Sequence, residues 1–72
     1  MKDYSFGNFL LKLRKRSGLS QFQLGKLVGV SDKAVSKWER GDGIPDTMVM
    51  IKLCEIFGVT LNDLVSDKVK EP

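Results

Sequence analysis

A chain of 72 residues has room for one small domain, and a domain of this size buries only about 60% of its unfolded surface on folding. With no histidine and a single cysteine, Cys54, it forms no intrachain disulfide and offers no zinc-site spacing. The net charge of +3 divides unevenly, into +6 over residues 1–40 and −3 over residues 41–72. The basic part therefore either serves a polyanion or is a solvated helix end.

The first predicted helix runs from about Phe6 to Ser17, with Ser5 placed to cap it. Phe6, Leu10 and Leu13 share one stripe at spacings of four and three. Lys12, Arg14, Lys15 and Arg16 gather in its last turns, where cations complement the helix dipole, and Gly18 supplies a left-handed stop. Ser20 and Gln23 have the spacing of a capping box, opening a short second helix that ends near Val28. Gly29 permits a tight turn, and Ser31 caps a third helix from Asp32 to Arg40. A loop follows over residues 41–45. Asp46 caps a fourth helix that Gly58 ends, and Thr60 with Asp63 opens a short fifth. No period-two strand pattern occurs, so the fold class is all-α with five helices. The domain is expected to occupy residues 1–72, with the fold over about 5–66 and a short charged tail at 67–72.

Residues 21–40 carry the functional signal: a helix, a glycine-containing turn and a second helix, the arrangement of a DNA-binding helix-turn-helix. Leu24, Val28, Val30, Val35 and Trp38 form the apolar seam between the two helices. Gly25 leaves room for a close helix crossing, and Gly29 takes the turn. The phase of Trp38 with Ala34 and Val35 places it in the core rather than against a base. The outer face of the third helix is left with Ser31, Asp32, Lys33, Ser36, Lys37 and Arg40, the short polar and long basic types that reach base edges and phosphates.

The chain resembles the Cro/C1-type (lambda-repressor-like, or XRE) helix-turn-helix regulators over about residues 6–65. The likeness rests on Leu-Arg-Lys at 13–15, Gly-Leu-Ser-Gln at 18–21 and Val-Ser-Asp-Lys-Ala-Val-Ser-Lys-Trp-Glu-Arg-Gly at 30–41. Pro45-Asp46 and the run from Phe57 to Leu64 complete it. This resemblance implies a five-helix fold with the third helix in the major groove. It implies base reading by Asp32, Lys33, Ser36 and Lys37, and phosphate contacts from Arg14, Gln21, Ser31 and Arg40. Backbone amides at the start of the second helix are further phosphate donors. Glu39 corresponds to a family acid that pairs with the Arg14 position, a structural role.

Two positions depart from the family pattern. Asp32 stands where relatives carry Gln or Arg; its carboxylate either accepts from a cytosine amino group or compensates the helix dipole. Phe22 stands where relatives are polar, and is either an isolated surface apolar residue or a partner contact.

Cys54, among Met50, Leu53 and Phe57, is expected to be buried and inert. Met48, Met50 and Ile51 read as core or dimer surface. Helices four and five hold more apolar residues than one core stripe needs, among them Val49, Ile56, Leu61 and Val65. The expected function is sequence-specific DNA binding, with repression as the commonest use in the family. The alternative is a protein-interaction module or antitoxin-like component on the same fold. The expected partner is double-stranded DNA with a palindromic operator. The chain is expected to dimerise through helices four and five or through a further carboxy-terminal domain. No cofactor, metal, membrane span or small-molecule ligand is indicated. The cysteine usage fits the cytoplasm. Catalysis is not expected, since the chain lacks histidine, an evident paired-carboxylate cleft and a glycine-rich phosphate loop.

Overall fold

In the computed structural model, residues 6–65 are described, and they form five helices: α1 (Phe6–Arg16), α2 (Gln21–Val28), α3 (Asp32–Glu39), α4 (Thr47–Phe57) and α5 (Leu61–Val65). Among the described residues there is no strand, and no helix is long and apolar enough to cross a membrane. The expected Ser5 cap and the tail at 67–72 lie outside the described residues, as does the Val65 side chain.

Local chemistry sets the helix ends. Ser20 Oγ accepts from the Gln23 amide at 3.0 Å while Gln23 Oε1 accepts from the Ser20 amide at 2.8 Å, the reciprocal pair expected from the sequence. Asp46 Oδ1 accepts from the Val49 amide at 3.0 Å. Thr60 and Asp63 repeat the reciprocal pattern at the start of α5, at 3.0 and 3.2 Å. The α2–α3 turn depends on Gly29, whose φ of 81° lies in the left-handed region that side chains other than glycine rarely adopt.

α3 packs against α2 and α1, while α5 packs on α4 and α1 and α4 also touches α2. The core between them comprises Leu10, Leu13, Leu24, Val28, Val35, Trp38, Met50, Leu53 and Leu64. Burying each large apolar side chain contributes about 1.5–3 kcal/mol. Phe6, placed on the α1 stripe by its spacing, is only partly buried against this core. Gly7 is the residue that lets α1 lie close to α3. A Cβ there would stand 2.5 Å from the Trp38 carbonyl oxygen and 2.6 Å from that of Glu39. The surplus of apolar residues in α4 and α5 divides between inside and outside. Met50, Leu53 and Leu64 are buried, whereas Met48, Ile51 and Leu61 are exposed.

Candidate nucleic-acid interface

The candidate recognition element is α3, held by its neighbours through both apolar and ionic contacts. Val35 and Trp38 bury one face of it against Leu24 and Val28 of α2, as the seam residues predict. Val30, in the turn, is half-buried against the same cluster. Gly25 faces that turn, with the Val30 carbonyl oxygen 2.6 Å from where a Cβ would be.

A second set of contacts fixes α3 from the side. The Glu39 carboxylate accepts from Arg14 Nε at 2.6 Å and Arg14 Nη2 at 3.1 Å, and from Gln21 Nε2 at 2.9 Å. Arg14 Nη1 also donates to the Leu19 carbonyl at 2.9 Å. One carboxylate thus ties α1, α2 and α3 together. The side chains of Arg14 and Glu39 are only 11% and 5% exposed, so this pair is largely sheltered from solvent screening. The expectation of an Arg14–Glu39 pair agrees with this geometry. Arg14, expected also to meet phosphate, has three of its five N–H groups bonded within the protein. Gln21 is half-buried and gives one N–H to Glu39, a bond the sequence did not suggest, and keeps the other for an external acceptor.

The outer face of α3 holds the remaining sequence-predicted residues. Asp32, Lys33 and Lys37 are exposed, and no hydrogen bond or ion pair engages their side chains among the described residues. Lys33 and Lys37 are four apart and therefore lie one above the other on the helix surface. Ser31 Oγ accepts from the Ala34 amide at 3.2 Å and keeps its O–H for an outside partner. Ser36 is half-buried, and Arg40 Nη1 donates to its Oγ at 2.6 Å. Arg40 Nε donates to Asp42 Oδ2 at 3.2 Å. The role of Asp42 was not apparent from the sequence; the only local sign is its position two residues beyond Arg40 in the loop.

Away from α3, Phe22 is 60% exposed, and Lys26 Nζ lies 5.6 Å from its ring centroid, within cation–π range. Cys54 is half-buried rather than buried. Its position on α4 leaves part of the thiol accessible, while burial, then the Asp63 and Glu55 carboxylates, push its pKa up. A thiol so placed stays protonated and is a poor nucleophile. No cluster of three or more metal-ligating side chains exists among the described residues.

Comparison with known proteins agrees with this geometry. The family model described as "Helix-turn-helix" matches residues 10–64. The uncharacterized HTH-type transcriptional regulator YgzD of Bacillus subtilis (strain 168) is 37% identical over 57 residues, covering 79% of this chain and 86% of that one. The antitoxin PezA of Streptococcus pneumoniae serotype 4 is 31% identical over 67 residues, covering 92% of this chain but 42% of PezA. Among solved structures, the P22 c2 repressor in complex with synthetic operator 9T superposes with a TM-score of 0.81 at 31% identity, covering 85% of this chain and 92% of that chain. With caps, turn, seam and ionic tie in place, and with that family match over most of its length, the chain belongs to the Cro/C1-type helix-turn-helix family.

Proposed function

We propose that the protein is a sequence-specific DNA-binding transcriptional regulator that lays α3 in the major groove and represses by occupying a promoter. The observation that carries this reading is the outer face of α3. Asp32, Lys33 and Lys37 stand exposed and unpartnered among the described residues, on a helix rigidly held by Glu39. The superposition on an operator-bound repressor supports the same placement.

In this reading Lys33 and Lys37 donate to guanine O6 and N7, and Asp32 accepts from a cytosine amino group. Gln21, Ser31 and Arg40 hold phosphates, aided by backbone amides at the start of α2. Arg14 serves as scaffold. Residues 1–72 act as one domain, working on DNA in the cytoplasm by binding and not by catalysis.

One α3 reads too few base pairs to select a genomic site, so two copies bind a palindrome with their α3 helices about 34–36 Å apart. Met48 and Ile51, three apart on α4 and both exposed, together with Ile44 and Leu61 supply an apolar surface for pairing. The similarity to PezA favours a second reading, in which the same fold also holds a protein partner as an antitoxin-like component. Selection of bound duplexes from a random pool, followed by analytical ultracentrifugation on the selected duplex, tests the proposal. A defined palindromic site and two chains per duplex are expected. No enrichment refutes sequence-specific binding, and one chain on a non-repeating site refutes the dimer.

A further inference from the structure

Serine is an ambiguous base reader, because its hydroxyl both donates and accepts and so pairs with either kind of base edge. In this protein the ambiguity is removed by a neighbour. Arg40 Nη1 donates to Ser36 Oγ at 2.6 Å, and Arg40 Nε donates to Asp42 Oδ2 at 3.2 Å. Ser36 and Arg40 are four apart, so the guanidinium lies back along α3. Asp42 reaches it because the chain reverses after α3. Gly41 has a φ of 84°, and the Asp42 amide donates to the Lys37 carbonyl at 2.9 Å. The Asp42 backbone is thereby fixed at the end of α3 whatever its side chain.

The geometry points to Asp42 as a positioning residue for specificity, acting through Arg40 on Ser36 without itself reading DNA. This rests on the proposal above that α3 occupies the major groove. With a guanidinium donating to one lone pair, Ser36 Oγ sits beside a fixed positive charge. A second donor, such as a cytosine or adenine amino group, meets that charge unfavourably. The Ser36 O–H has no acceptor among the described residues and remains to donate. The base edge facing Ser36 therefore presents an acceptor: guanine O6 or N7, adenine N7 or thymine O4. Three of the five N–H groups of Arg40 stay available for a phosphate, so positioning Ser36 and anchoring the backbone are compatible.

The Asp42–Arg40 pair is exposed, and exposed pairs are weak, so the effect belongs at one base position and has modest size. Binding-site selection with the 72-residue chain and its variants reads it directly. Ser36→Ala is expected to relax preference for an acceptor-bearing base at one position by roughly two- to fivefold. Asp42→Ala is expected to relax the same position by a similar factor while the other positions and the far-UV circular dichroism are unchanged. Asp42→Glu is expected to restore the preference, which a merely structural loop residue would not produce. The inference is overturned if Asp42→Ala keeps every base preference, or if it raises affinity for all duplexes alike, since Asp42 would then only compete with phosphate for Arg40. If the wild-type chain selects no duplex at all, it is the DNA-binding reading itself that has failed.

Discussion

Replacing Glu39 by Ala removes the acceptor of three hydrogen bonds and leaves the Arg14 guanidinium, only 11% exposed, without its counter-charge. Removing one partner of a buried ion pair costs about 3–5 kcal/mol, because the other charge stays desolvated and unpaired. A chain of 72 residues, at about 0.05–0.15 kcal/mol per residue, has about 4–11 kcal/mol of stability in all. Glu39→Ala is thus expected to remove a large share of it and lower Tm by at least about 12 °C. The pair as a whole is a different matter. Exchanging both partners for apolar residues of similar size avoids the orphaned charge and is often close to neutral. Arg14→Met combined with Glu39→Leu should therefore recover at least about half of what Glu39→Ala loses. Urea unfolding followed by the fluorescence of Trp38, the only tryptophan, measures all the variants. A loss below about 1 kcal/mol for Glu39→Ala would put the pair in the class of exposed ion pairs. Together with simple additivity of the single substitutions, that result refutes the claim that one carboxylate holds three helices.

Trp38→Ala is expected to cost about 3–5 kcal/mol, enough to unfold much of the population; a folded variant with selectively lost DNA binding would move Trp38 to the DNA surface. Gly7→Ala gains about 1 kcal/mol of helix propensity but drives a methyl group against two backbone carbonyls, so a net loss of about 1–3 kcal/mol is expected in the same urea assay. A stabilised Gly7→Ala would show that α1 and α3 are not so closely apposed. Lys33→Ala and Lys37→Ala should each cost about 1–3 kcal/mol at one base position, whereas Arg40→Ala should weaken binding to every sequence and also relax the position facing Ser36. Unchanged selected sites in both lysine variants would show that α3 presents a different face.

Much of the fold is legible in the sequence because helix ends are local events. Ser20 with Gln23, Asp46 before Val49, and Thr60 with Asp63 satisfy backbone groups within four residues, so spacing alone exposes them. The sorting of α4 is not legible in the same way. Apolar residues crowd positions 48–57, so periodicity does not choose a face; packing against α2 and α5 buries Met50 and Leu53 and leaves Met48 and Ile51 outside. The need for Gly7 is equally hidden, since it arises from carbonyls more than thirty positions away. At the candidate site, residue types identified the outer face of α3, but not which charges are already engaged. The Arg14–Glu39 pair was legible only through the family resemblance, and the Leu19 carbonyl that also holds the Arg14 guanidinium was not legible at all. Arg40 read as a free phosphate ligand, yet its orientation depends on a loop carboxylate that the helical pattern does not include.

The central claim is that α3 and its flanking donors form a duplex-binding face, and the salt dependence of binding tests it most directly. Fluorescence anisotropy of the selected duplex, titrated with the chain at several salt concentrations, gives the slope of log affinity against log salt. Binding through phosphate neutralisation predicts a linear fall with a slope of about −0.9 for each phosphate neutralised, less steep in Arg40→Ala. An affinity independent of salt, or no binding to any duplex at low salt, contradicts the account.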